Sequence, residues 1–145
     1  VGLHSVCSPY GSKKENTTMM VEAMQNPFVD IVVHPGNPEY PVDEETIVKA
    51  AARYDVALEV NNSSLTVSRK GILPHCDNIV SLAKTYGTKL IVGSDSHYCE
   101  TVGEFSVAAE LLAKHGVLPE QVLNTSLDKV LAHLNRRTNH KKVEC

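Results

Sequence analysis

Three histidines and an aspartate stand out by type and position: His4, His34, Asp95 and His97. Imidazole and carboxylate donors suit Zn²⁺, Mn²⁺ or Fe²⁺. Each follows a short apolar run: Val1-Gly2-Leu3 leads to His4, Ile31-Val32-Val33 to His34, and Leu90-Ile91-Val92-Gly93 to the Ser94-Asp95-Ser96-His97 segment. In parallel α/β folds, functional side chains gather at the carboxyl ends of strands. One strand-end histidine alone reads as a hydrogen-bonded rim residue; four donors at three strand ends read as a metal set. Asp95 and His97 share a face if their segment is extended. If it bends they diverge, each serving a different metal.

A third apolar run, Val56-Ala57-Leu58-Glu59-Val60, delivers a stretch rich in amides and hydroxyls, Asn61-Asn62-Ser63-Ser64, followed by Ser68-Arg69-Lys70-Gly71. Arg69 offers a planar fork for a phosphate and Lys70 a point charge. With Asn61 they form the candidate phosphate-binding group; a polar surface loop is the alternative. Cys7 and Cys99 lie near His4 and His97 and are read as small buried residues, not ligands. His75, His115, His133 and His140 are read as structural or surface residues.

The elements that must position these groups alternate. Helical patterns cover residues 17–25, with Met20, Val21 and Met24 inward, and 43–54, capped by Asp43, with Ile47, Val48, Ala51 and Ala52 inward. They continue at about 74–86, with Ile79, Leu82, Ala83 and Tyr86 inward and Gly87 as C-cap. Another covers about 102–115, with Val107, Ala108, Leu111 and Leu112 inward. A last helix, capped by Thr125 or Ser126, carries Leu127, Val130, Leu131 and Leu134. With strands ending at His4, and over 28–33, 56–60 and 89–92, the order is β-α-β-α-β-α-β-α-α. This is an α/β fold with a parallel sheet.

Composition sets the outer bounds. The 145 residues suit one domain, placed at 1–137, with a polar tail at 138–145. Fourteen basic against seventeen acidic residues leave a net charge of −3, which excludes a strongly basic nucleic-acid binder. Hydrophobic residues at 42% support a packed core. There is no apolar run long enough to cross a membrane and no signal-peptide pattern. Four cysteines without a CxxC pair do not make a disulfide scaffold, so a reducing, cytoplasmic setting is expected. The chain opens without Met on what reads as a strand end, so a piece of a longer protein is expected.

These motifs together resemble the PHP (polymerase and histidinol phosphatase) superfamily, and more narrowly its YcdX-type phosphatases. The resemblance rests on His34-Pro35-Gly36-Asn37-Pro38, Leu58-Glu59-Val60-Asn61-Asn62-Ser63-Ser64, Ser68-Arg69-Lys70-Gly71 and Gly93-Ser94-Asp95-Ser96-His97, and covers essentially the whole chain. It implies a distorted (β/α)7 barrel, of which this chain is the C-terminal part. It also implies up to three divalent metals, zinc foremost, with manganese or iron as alternatives, and hydrolysis of a small-molecule phosphomonoester. By position, His4 and His34 match the ligands of one metal, Asp95 a ligand of a second and His97 of a third. The family's His-x-His pair, two further histidines and bridging glutamate have no counterpart in this sequence. The metal centre is therefore expected to be incomplete in this chain alone. An exonuclease or accessory module acting on DNA, a non-catalytic fragment and an amidohydrolase-type barrel are the alternatives. Nucleic acid and membrane are not expected partners. An open sheet edge predicts self-association, as a homo-oligomer, or poor solubility.

Overall fold

The computed structural model describes residues 1–69 and 71–136. Lys70 and the tail at 138–145 lie outside the described residues.

The first helix, α1 (Lys13–Gln25), begins a turn earlier than the apolar spacing predicts. The Ser12 hydroxyl accepts the Glu15 N–H at 3.3 Å, and the Glu15 carboxylate accepts the Ser12 N–H at 2.8 Å. This reciprocal cap satisfies two amides that a helix start otherwise leaves open. Strand β1 (Ile31–Val32) is shorter than the predicted 28–33. The Asn26 side-chain oxygen accepts the Phe28 N–H at 2.9 Å, and the Asn26 carbonyl accepts the Val29 N–H at 3.0 Å. The chain therefore turns before β1, leaving Phe28 52% exposed.

Helix α2 (Glu44–Tyr54) starts at Asp43, whose carboxylate accepts the Thr46 N–H at 2.8 Å, and ends at Asp55 in a left-handed conformation. Ile47, Val48 and Ala51 are buried as expected, but Ala50 rather than Ala52 completes the inner face. Strand β2 (Ala57–Asn61) leads through a π-helical turn (Ser64–Ser68) into α3 (Leu73–Tyr86). Gly87 closes α3 at φ 67°, where a side chain would be strained. On α3, Cys76, Ile79, Val80 and Ala83 form the buried face, while Tyr86 turns partly outward. Strand β3 (Leu90–Gly93) precedes α4 (Ser106–Lys114), shorter than the predicted 102–115. Gly103 at φ 81° breaks the run ahead of it, and Glu104 accepts the Ser106 N–H.

The three strands are parallel in the order β1-β2-β3, with Val32 beside Leu58 and Leu58 beside Leu90. A fourth strand over residues 1–4 does not form. Val1 alone reaches β1, its amino group donating to Ile31 O at 2.7 Å and its carbonyl accepting the Val33 N–H at 2.9 Å. The chain then turns, His4 O accepting the Cys7 and Ser8 N–H groups. On the opposite edge, Val122 bridges Leu90, and the Asn124 amide bonds both backbone groups of Val92 at 3.0 and 2.8 Å. The core lies between the sheet and the helices, around Met24, Ile47, Val48, Leu58, Val60, Ile79, Val80 and Leu90. Among the described residues no helix is long and apolar enough to cross a membrane.

Helix α5 (Leu127–Asn135) is capped by Ser126, whose hydroxyl accepts the Lys129 N–H. It does not bury the predicted leucine stripe: Leu127, Leu131 and Leu134 face out, and His133 is the buried residue. Polar docking sets that rotation. His133 Nε2 lies 3.0 Å from Asp30 O, and Arg136 reaches Asp30 Oδ1 at 2.7 Å and Asp55 Oδ2 at 2.9 Å. Lys89 adds a contact to Asp55 at 2.8 Å. Asp30, Asp55 and Lys89 immediately precede the three strand regions, so this network ties α5 to the amino-terminal ends of the sheet.

Candidate functional site

At the opposite, carboxyl-terminal rim, the strands deliver the residues singled out by type. His34 and Asp95 each follow a strand in left-handed backbone, at φ 33° and 48°. Non-glycine residues adopt this region rarely, and such strain concentrates where side-chain direction matters. It turns His34 back toward the amino-terminal segment. The His4 and His34 rings meet edge to face, 4.7 Å between centroids. Gly2 makes this approach feasible: a β-carbon there would lie 2.5 Å from Val33 Cγ2, 3.2 Å from His34 Cε1 and 3.3 Å from His4 Nε2.

The β2 end organises the centre. Asn61 is buried, its Oδ1 accepting both the Ser64 N–H and the Ser64 hydroxyl at 2.8 Å, its Nδ2 donating to Glu59 at 3.3 Å. Asn61 lines neither of the cavities described below. Asn62, also buried, accepts the Ala108 N–H at 2.9 Å and so fixes the start of α4. The π turn then brings Arg69 over the rim, where Nη1 donates to the Ser64 hydroxyl and, at 3.3 Å, to Ser68 Oγ and Asp95 Oδ2. Single-turn π segments recur at functional sites.

Two cavities flank Arg69. One, about 350 Å³, is lined by His4, Ser5, Asn37, Glu39, Ser68 and Arg69. The other, about 260 Å³, has Asp95 and His97 in its wall with Ser63, Thr66, Ser68 and Tyr98. Ser68 borders both. The loop at Asp95 is bent, yet Asp95 and His97 still line one cavity.

Electrostatics suits ligation in part. Burial, then the positive charge of Arg69 and of His4, lowers the His34 pKa to about 4. Its imidazole is neutral at pH 7, the form that binds metals. Burial pulls the Asp95 carboxyl upward, but hydrogen bonds from Asn61 and Arg69 outweigh it and hold the pKa below the ordinary value. The donor chemistry therefore fits divalent cations. The number of donors does not: among the described residues, no three His, Cys, Asp or Glu side chains gather to enclose an ion. The candidates stand as two pairs, His4 with His34 and Asp95 with His97, on either side of Arg69.

Other polar groups fall elsewhere. Cys7 and Cys99 are exposed rather than buried. His75 pairs with Glu44 at 2.5 Å and His115 with Asp77 at 3.0 Å. The residue not singled out by type is Glu59, a carboxylate inside an apolar strand. Its Oε2 accepts the His34 N–H at 2.8 Å. Burial raises its pKa, against hydrogen bonds from His34 and Asn61. A lone acid amid Ala57, Leu58 and Val60 was the available signal, because a buried carboxylate requires partners.

No family model matches the chain. Along nearly its whole length it is similar to proteins named probable phosphatases. A relative from Clostridium novyi (strain NT) is 42% identical over 135 residues, covering 93% of this chain and 55% of that protein. One from Caldanaerobacter subterraneus subsp. tengcongensis is 43% identical over 136 residues, covering 93% and 54%. One from Shewanella frigidimarina is 40% identical over 143 residues, covering 99% and 57%. The chain thus spans just over half the length of the curated relatives it matches.

Proposed function

We propose that this chain is the C-terminal part of a PHP-type metallophosphatase barrel that hydrolyses small phosphomonoesters. His4, His34, Asp95 and His97 hold divalent metals, zinc foremost, together with ligands from outside these residues. The observation that carries this reading is the placement of His34 and Asp95, in strained left-handed backbone, at one rim of a parallel sheet. The names of the relatives support phosphate-ester chemistry.

When bound, divalent cations supply Lewis acidity and water activation to phosphate-ester cleavage. The chain's own residues do the rest. His34 stays unprotonated at neutral pH and presents a lone pair. Arg69, lining the His4 cavity, receives the phosphate. The incoming anion competes with Asp95 for the guanidinium, releasing the Asp95 carboxylate. Asn61 acts from beneath, holding the Ser64 hydroxyl on which Arg69 rests.

Phosphate release from a monoester panel by the full-length gene product, supplied with Zn²⁺ or Mn²⁺, tests the reading. His34→Asn and Asp95→Asn should each lower kcat/KM by about 100-fold or more, in line with loss of metal affinity or activity at such sites. Full activity in either variant, or no release from any ester by the wild type, overturns it.

A further inference from the structure

Glu59 is absent from the ligand set and from the phosphate-binding group, yet its carboxylate touches the ends of all three strands. From β2 it accepts the backbone N–H of His34, just where the chain leaves β1, at 2.8 Å, and the side-chain amide of Asn61 at 3.3 Å. Its other oxygen occupies the space over Gly93 at the end of β3: a β-carbon there would lie 2.1 Å from Glu59 Oε1. No side chain larger than hydrogen fits beneath it without displacing the carboxylate. A side-chain acceptor thus serves the amide of a residue whose φ is 33°.

We propose that Glu59 is a positioning residue: its carboxylate, seated on Gly93, accepts the His34 N–H and fixes the left-handed turn that aims the His34 imidazole at His4. This rests on the proposed function in taking His34 as a metal ligand. The role needs an acceptor oxygen and not a negative charge. Glutamine can supply it, with the oxygen toward His34 and Asn61. Alanine cannot. Gly93→Ala is an independent route to the same defect, because it pushes the carboxylate aside while leaving it in place chemically.

The test uses the full-length gene product carrying Glu59→Ala, Glu59→Gln or Gly93→Ala. Two readouts are taken: amide hydrogen exchange at His34, and zinc affinity by competition with a chromophoric chelator. Glu59→Ala and Gly93→Ala should speed His34 exchange by at least about 10-fold, leaving Leu58 and Leu90 protected, and weaken zinc by about 10–100-fold, the usual effect of losing a group that orients a ligand. Glu59→Gln should stay within about 3-fold of wild type in both. The proposal is overturned if Glu59→Ala leaves His34 exchange unchanged, if core amides open equally, if zinc binding is unaffected, or if Gln fails to rescue. If Glu59→Ala does not fold, Gly93→Ala against Glu59→Gln gives the same contrast. A wild type that takes up no zinc while His34 exchange still responds removes the metal reading and leaves the positioning of His34 standing.

Discussion

Replacing Arg136 with Met should loosen α5 from the sheet, and the structure sets the size of the effect. Arg136 is 13% exposed in its side chain and Asp30 16%, with Nη1 to Oδ1 at 2.7 Å. Arg136 also donates to the carbonyls of His133 and Asp55. Its Nε stands 2.9 Å from Asp55 Oδ2, but that carboxylate is 47% exposed and keeps Lys89 at 2.8 Å. The Asp55 arm therefore contributes under about 1 kcal/mol, as solvated pairs do. A charge-assisted hydrogen bond to a largely buried acid is worth about 1.5–3 kcal/mol. Methionine keeps the apolar stem, so the net loss should be about 2–4 kcal/mol. For a domain of this size that lowers Tm by about 6–12 °C. Urea unfolding followed by circular dichroism at pH 7 measures it, and Arg136→Met with Asp30→Asn should cost less than the sum of the two changes. A loss below about 0.5 kcal/mol, or strict additivity, would refute the assignment of α5 docking to this pair.

Two further outcomes follow from burial at and near the rim. His34 titrates at about 4 in the folded chain and near its ordinary 6.5 when unfolded, so the unfolded form takes up the proton first on acidification. Stability should fall as pH drops from 6.5 toward 4, by at most about 3 kcal/mol; urea midpoints at pH 7 and 4.5 should show a smaller drop in His34→Gln than in wild type, and equal drops would reject the depressed value. Burial, then the acids Asp77, Glu59 and Glu44, raises the Cys76 thiol pKa to about 12, whereas Cys7 and Cys99 are exposed. Iodoacetamide at pH 8 with peptide mass mapping should label Cys7 and Cys99 in the native protein and leave Cys76 roughly 1000-fold slower until denaturant is added; prompt labelling of Cys76 would contradict its burial.

What could be read from the residues was local. The cap at Asp43, the Gly87 stop and the apolar runs behind β2 and β3 announce themselves within a few positions. The Ser12-Lys13-Lys14-Glu15 cap is equally local, but the methionine spacing alone starts the helix at 17, a turn too late. The strand over 28–33 shortened because the Asn26 turn outcompeted β-propensity at Phe28. Helix α5 was misjudged for a longer-range reason: its leucine spacing is amphipathic, but Asp30 and Asp55, about 100 and 80 positions away, claim His133 and Arg136 and rotate the helix. At the rim, the strand ends announced His34 and Asp95, and the polar stretch after β2 announced Arg69. The Arg69–Asp95 contact and the left-handed turns depend on partners brought from distant segments and carry no local pattern.

The side-chain amide of Asn124 has a consequence for how this molecule meets others. By occupying the N–H and C=O of Val92, it counterfeits one rung of a neighbouring strand. A foreign extended peptide approaching β3 finds that rung taken, and Val122 already stationed at Leu90. Proteins commonly blunt exposed borders against runaway stacking with charge, proline or bulges. Here the carboxamide of Asn124, with Val122 beside it, does so on one border, as the backbone of Val1 does at Ile31 and Val33 on the other.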